Sequence, residues 1–427
     1  MGIIERTKAA FAKPGTFRTH LLVQSTGTIF SQLIPIAISP LLTRLFSPVD
    51  FGLYGTVVSV SVLLAILITL RVDHGIMITA DDEEAKNTAI LSLLLATGAS
   101  LAFAVLALII LALISELDGQ QVLIWAIFVP LASLLAAATR TLTLFGNRLQ
   151  VFGLVSKARI SQAFCVAGAS LFLGYFAPFG HGLIVALLGG NLLYVLMLCP
   201  PLRPIRPLDM KTSLSLLKAN ERFIRFSLPA DLINTLSSRI PFIIFPALFG
   251  LEQTGYLALA YRVIATPARF VGTAIGEVFY SHAAREYERT GACWSSAYKI
   301  ALALGALGLV GFSLLFVLAD PVFTLVFGAK WQPAALFTQI LTPMLLISFV
   351  VSPLSVVFYI TGRQKDDFLW QINFLAATTV ASFLGVLEGG APISLVAYSV
   401  SGATLYLVYF ALIRRYAMGA KRAQETS

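Results

Sequence analysis

The sequence predicts an all-α polytopic membrane protein: 12 transmembrane helices in two six-helix bundles related by a parallel repeat. Three observations predict it. Of 427 residues, 58% are hydrophobic and 12% charged, where soluble domains carry roughly 25% charged residues, so a water-facing surface of this size cannot be assembled. Twelve apolar segments are each long enough to cross a hydrocarbon core of about 30 Å. Finally, the stretch Arg44-Leu-Phe-Ser-Pro-Val-Asp-Phe-Gly-Leu-Tyr54 has an echo in Leu248-Phe-Gly-Leu-Glu-Gln-Thr-Gly255, with Leu45 on Leu248, Phe46 on Phe249 and Gly52 on Gly255. Each copy closes one apolar segment, turns at glycine and opens another. A repeat near half the chain length points to a duplicated transporter, a fold built of two related bundles around a central site.

In chain order, a basic segment (1–18) precedes the first bundle (19–200). Its spans are read at 19–43, 52–79, 88–114, 122–144, 153–176 and 182–200. A linker (201–222) follows, then a second bundle (223–413) with spans at 223–249, 255–281, 297–319, 334–360, 367–388 and 392–413, and a tail (414–427). The first segment has no short apolar run ending in a small-residue cleavage site, so an uncleaved first span is expected.

Lysine and arginine test this order, because they collect in cytoplasmic loops. The N-terminal segment, the even-numbered loops and the tail hold nearly all of them, while Arg44 and Lys330 alone fall in odd-numbered loops. Both termini are therefore expected in the cytoplasm. The acidic loop Asp81-Asp-Glu-Glu-Ala-Lys86 is placed on the same side, as acidic residues contribute little to orientation. In the linker, Pro200, Pro201, Pro204 and Pro207 are followed by a polar segment from Lys211 to Asn220. It reads either as a surface helix on an anionic leaflet or as plain topogenic charge. Gly146-Asn-Arg148 and Gly362-Arg363 are a second local match between the halves.

Charged residues inside spans mark function or pairing, since each costs about 2.5–3.5 kcal/mol at the membrane centre. In span eight Arg262, Thr266, Arg269, Thr273 and Glu277 share one helical face, opposite Ile264, Val271, Ile275 and Val278. At 1.5 Å per residue from Gly255, Arg262 is about 10 Å deep and Arg269 about 20 Å deep. Span seven carries Ser227, Asp231, Asn234 and Ser238 on one face, with Arg239 beside them and Pro229, Pro241 and Pro246 to bend it. Span one carries Gln24, Thr28, Ser31, Gln32, Pro35 and Ser39, and span two ends in Arg71, Asp73 and His74.

Spans one, two, seven and eight are thus expected to line a net positive cavity. Arg239, Arg262, Arg269, Asn234, Gln32 and Arg71 are the expected substrate-binding residues. Asp231 and Glu277 are the expected coupling or gating carboxylates. A guanidinium pairs bidentately with phosphate oxygens and keeps its charge, so such a cavity suits an anionic headgroup on a lipid tail. Plainer readings stand beside this one. Arg262 or Arg269 can pair with Asp231 or Glu277 merely to hold helices together. Arg71, Asp73 and His74 can be an interfacial anchor, and Gln32 and Asn234 interhelical hydrogen-bonding groups.

No phosphate-binding loop, dinucleotide fingerprint, serine elbow or metal-ligand cluster is found, so neither an enzyme nor a cofactor is expected, and no nucleic-acid partner. The three cysteines, Cys165, Cys199 and Cys293, show no disulfide or metal spacing. Without an ATPase module, transport energy must come from an ion gradient, the membrane potential or the substrate gradient.

The stretch from Pro40 to Tyr54 resembles the first hairpin of Wzx-like polysaccharide and O-antigen flippases of the MOP exporter superfamily. Leu70-Arg-Val-Asp-His-Gly75, followed by Asp81-Asp-Glu-Glu-Ala85, resembles that family's second span and acidic loop. The echo at Phe249–Gly255 and the turn at Gly362-Arg363 extend the similarity over nearly the whole chain. The resemblance implies a V-shaped, MATE-like pair of bundles in the bacterial inner membrane. It implies flipping of undecaprenyl-diphosphate-linked oligosaccharide from the cytoplasmic to the outer leaflet for polysaccharide or lipopolysaccharide synthesis. Membrane lipids, a polysaccharide polymerase and chain-length proteins are the partners it implies. Essential cavity cations of the family are matched, by helix number and depth, to Arg239, Arg262 and Arg269. Related lipid II flippases have two further C-terminal spans. The rival readings are a cation-coupled multidrug antiporter of the MATE type, which favours acidic cavities, a scaffold for polysaccharide-synthesis enzymes, and a membrane-embedded glycosyltransferase, which needs a carboxylate loop not found here.

Overall fold

A computed structural model describes residues 27, 30–113, 119–176, 180–202 and 208–419. Gln24 and Thr28 of the first polar stripe, and Pro204 and Pro207 of the linker, lie outside the described residues. Among the described residues every regular element is helical and there is no strand. Eight helices are long and apolar enough to cross a membrane. The helices are α1 (Phe30–Leu45), α2 (Pro48–Ile68), α3 (Asp82–Leu113), α4 (Gly119–Arg148), α5 (Phe152–Phe176), α6 (Gly182–Leu198), a short α7 (Met210–Ala219), α8 (Phe223–Thr290), α9 (Trp294–Phe327), α10 (Ala329–Ile360), α11 (Gln364–Glu388) and α12 (Ala391–Ala417).

One predicted boundary is corrected. Span two does not run to residue 79: α2 stops at Ile68, because Leu70 and Arg71 take positive φ (50° and 59°), and Val72–Met77 then forms a tight 3₁₀ turn. The left-handed conformation cannot continue a right-handed helix. Predicted spans seven and eight are the two helices of α8, which part at Gly250 (φ 83°, ψ 170°), between the predicted ends at 249 and 255. Only glycine visits such angles at little steric cost. The run also contains Pro241, Pro246 and Pro267.

The repeated stretch is now explained physically. In the first copy Ser47 caps α2: Asp50 N–H donates to Ser47 Oγ at 3.3 Å, and Ser47 N–H donates to Asp50 Oδ2 at 2.8 Å. This reciprocal capping box satisfies two otherwise orphaned helix donors, and Pro48 at the first helical position needs none. Phe46 is buried, its ring against Gly174 and Gly182, where a methyl would come within 2.8 Å and 3.1 Å of it. In the second copy, Gly250 stands where Ser47 does and makes the break with its backbone alone. Asp50→Ala is therefore expected to lower stability by about 1 kcal/mol, read as a drop in the thermal unfolding midpoint in detergent. An unchanged midpoint would show that the cap is not holding the junction.

The chain divides into two compact units, the first ending at Arg239 and the second beginning at Ile240. The division falls inside α8, beyond the expected linker. In the first unit Ile76, Leu142, Phe145, Val151 and Tyr194 are core residues. Helix α7 docks there too, with Leu216 buried against Val72 and Leu91, so its apolar face is held by protein. The second unit has its core around Phe279, Leu354, Phe358, Tyr409 and Ile413. Hydrogen bonds hold it: Tyr409 donates to buried Asp367, and at its half-buried margin Tyr416 donates to Asp366 at 2.8 Å and Trp370 Nε1–H to the Leu405 carbonyl at 2.9 Å.

Candidate functional site

The first unit gathers charge at the end of α2. Arg71 is reversed into the left-handed region at the start of the 3₁₀ turn, which turns its side chain inward. The side chain is 6% exposed, and Nη2 lies 2.5 Å from Oδ2 of Asp231, itself 31% exposed. Nε and Nη1 of Arg71 have no hydrogen-bond partner among the described residues. Asp73, fully buried two residues on, has Arg140 Nε 2.8 Å from Oδ2, but off the hydrogen-bond line. Burial pushes the Asp73 carboxyl above its ordinary range, against the pull of the Arg71 charge. Arg140 Nη2 stands 2.7 Å from His74 Nε2. A guanidinium only donates, so that ring nitrogen accepts and the proton sits on Nδ1. Arg148 closes the turn, donating to the carbonyls of Ile76 and Thr79 at 3.1 Å and 2.9 Å and to Asp82 at 3.2 Å.

The second unit carries the face predicted on span eight. Ile264 is buried, and Val271 and Ile275 pack beside it with Leu304, Phe312 and Phe349. Val278, expected on that side, is exposed instead, because α8 outlasts the cluster. The opposite face is polar: Arg262 and Thr266 are half-buried, while Arg269, Thr273 and Glu277 are exposed. Neither Arg269 nor Glu277 forms an ion pair or side-chain hydrogen bond among the described residues. Arg269 lies within electrostatic reach of the Tyr261 and Tyr406 hydroxyls.

Of the expected site residues, only Arg71 and Asp231 are joined by a described contact. Gln32 and Asn234 are exposed on their helices, and Arg239 is half-buried at the end of the first unit. Sequence reasoning missed Arg140, the tyrosines around Arg269, and the pair Gly272 and Gly276. Those glycines were legible as a small-x-x-x-small pattern, the usual device for close helix packing. They press against Pro353, where α10 is broken by the 3₁₀ turn Ser352–Ser355. Cys293, in the loop between α8 and α9, is buried, and burial pushes its thiol up to about 11, so it is not a thiolate at neutral pH. No metal-holding group of His, Cys, Asp or Glu occurs among the described residues.

A family model described as "Polysaccharide biosynthesis protein" matches residues 41–336. The chain belongs to the polysaccharide biosynthesis protein family. The teichuronic acid biosynthesis protein TuaB of Bacillus subtilis is 25% identical to this family member over 170 residues. That match covers 39% of the chain and 35% of TuaB, about a third of the relative's length. Among solved structures, the lipid II flippase MurJ superposes with a TM-score of 0.67 at 14% identity, over 93% of this chain and 90% of MurJ. The MATE transporter ClbM gives 0.56 at 17% identity over 98% and 99%. A MOP superfamily transporter from Pyrococcus furiosus gives 0.54 at 15% identity over 97% and 95%. The polysaccharide biosynthesis protein therefore has the MOP transporter fold. The resemblance read from Pro40–Tyr54 holds for both family and fold, and the proteins that share the fold are transporters by name.

Proposed function

We propose that this polysaccharide biosynthesis protein moves a lipid-linked oligosaccharide, built on undecaprenyl diphosphate, from the cytoplasmic to the outer leaflet by alternating access. Arg269 carries the reading. It is an exposed guanidinium without an ion pair among the described residues, on a helix apolar enough to span a membrane. Such a charge is expensive in lipid unless a ligand or water meets it, and a diphosphate is the ligand that a guanidinium fork fits best. Arg262 lies seven residues before it on the same face, and family membership supplies the saccharide.

In this reading Arg269 and Arg262 take the diphosphate, and Glu277, on the same face of α8, is the carboxylate left for gating. Arg71 and Asp231 are engaged with each other in the structure described and serve the first unit's architecture. The lysine and arginine pattern supports both termini in the cytoplasm of a bacterial inner membrane. A polymerase and chain-length proteins are the partners such a product would meet.

The test is in cells lacking the gene, complemented with wild type or with Arg262→Gln plus Arg269→Gln. Lipid-linked oligosaccharide is expected to accumulate on the cytoplasmic face in the deletion and the double variant, at normal protein level. Accumulation in the deletion alone would move the site elsewhere. No accumulation in either would overturn the flippase reading and direct attention to drug export, the MATE alternative.

A further inference from the structure

Resting on the proposed function, we propose that Arg269, Ser348, Ser352 and Tyr406 form a subsite in the second unit that reads the sugar next to the diphosphate, over a floor made by Tyr261 and Tyr398. The first observation is a broken helix. α10 runs as α-helix to Val351, tightens to 3₁₀ at Ser352–Ser355 and resumes at Val356. Interrupted membrane helices are where transporters place binding groups, because irregular backbone at membrane depth survives only beside a polar cavity or protein. The hydroxyl of Ser348, in the last turn of helix before the interruption, sits 3.1 Å from that of Ser352, the first residue of the 3₁₀ turn.

The second observation is what faces the break. A methyl built on Gly272 would lie 3.4 Å from Pro353 Cγ, and one on Gly276 3.6 Å from Pro353 Cα. The absence of side chains there draws α8 against the interruption. Arg269, one turn earlier on α8, is thereby set beside it without an ion pair.

The third is a cluster of hydroxyls in an apolar setting. Tyr261 donates to Tyr398 at 3.3 Å, and Tyr398 is buried. The Tyr406 hydroxyl is within range of Ser348, Ser352 and Arg269. Its ring packs against Trp370 and Phe374, each 5.3 Å away between centroids, so the hydroxyl is positioned by packing before any ligand arrives. Ser352 and Arg269 are exposed while Tyr398 is not, which gives the cluster an open side and a floor. Neutral hydroxyls beside one unpaired cation suit a ligand that is hydroxylated next to an anionic group. A glycosyl diphosphate has that chemistry. A bare anion leaves the hydroxyls unused, and a cationic drug meets the wrong charge.

The experiment uses the full chain in lipid nanodiscs and two probes: a polyprenyl diphosphate carrying one sugar, and the same lipid without it. Arg269→Gln is expected to weaken both by about tenfold or more, the scale of a lost charged hydrogen bond. Tyr406→Phe and Ser352→Ala are each expected to weaken the sugar-bearing lipid about fivefold and the bare lipid less than about twofold. Equal losses for both probes, or none for the sugar-bearing one, would overturn the subsite while leaving the diphosphate role of Arg269 standing. If wild type binds neither probe, the flippase reading falls with it. A lower melting midpoint in Tyr406→Phe with unchanged discrimination would show that the hydroxyls only join helices.

Discussion

Asp231→Ala is expected to destabilise the protein by about 3–5 kcal/mol, the usual consequence of stripping the partner from a buried charge. Arg71 is nearly fully buried, and among the described residues its Nε and Nη1 find no acceptor and Asp231 is its one ion pair. Truncation leaves a guanidinium that cannot neutralise itself, because arginine does not give up its proton in proteins. Replacing both partners, as Arg71→Met with Asp231→Leu, should return most of the loss, since the buried charge goes with its partner. The readout is the unfolding midpoint in detergent for the two singles and the double. An Asp231→Ala midpoint equal to wild type would mean that the pair is incidental. Asp231→Asn then separates this structural role from coupling: a lowered midpoint supports the ion pair, whereas a normal midpoint with lost transport would restore the coupling carboxylate.

The second large effect is expected at Gly385→Ala. A methyl at Gly385 would sit 2.2 Å from Ser394 Cα and 2.5 Å from its backbone nitrogen. Backbone cannot rotate away as a side-chain tip can, so α11 and α12 must part. Parting them also stretches the bond that Ser394 Oγ donates to the Ser382 carbonyl at 2.7 Å. Overpacking of this kind costs about 1–3 kcal/mol, occasionally more. Gly98→Ala is the matched control. It lies exposed in α3 with nothing within 4 Å of the added atom, and alanine favours helix over glycine by about 0.8–1.0 kcal/mol. The expected pattern is a clear fall in midpoint for Gly385→Ala and no fall for Gly98→Ala. Equal behaviour would contradict the close approach of the two helices.

Much of the candidate site was legible. The polar face of α8 was readable because an i, i+4, i+7 spacing needs nothing but helix geometry, and Ile264 packing inward with Arg269 outward follows it. Arg71 was legible as a charge near a span end but not as a buried one. Its burial depends on the left-handed backbone at Leu70 and Arg71, and no residue there announces that conformation. Likewise Asp231 was read as a coupling group on span seven. Its partner sits on a segment 160 residues earlier in the chain, and one sequence carries no register between two such segments. Tyr261, Tyr398 and Tyr406 went unnoticed because tyrosines scattered in apolar helices look like ordinary packing until a fold places their hydroxyls together.

The amino-acid sequence determined the class, the helical content and the repeated junction. Those follow from local quantities: composition sets the solvent, apolar run length sets the crossing, and Ser47-Pro-Val-Asp50 caps a helix within four residues. It also determined that arginines lie within the apolar segments. Tertiary structure alone decided which charges are spent on each other and which stand without an ion pair among the described residues. Arg71 and Asp231 meet, and Arg269 is left exposed without an ion pair among the described residues. The physical reason is that pairing in a low-dielectric interior turns on separations of a few ångströms between distant segments, a distance that close helix packing, as at Gly272 and Gly276, sets in three dimensions.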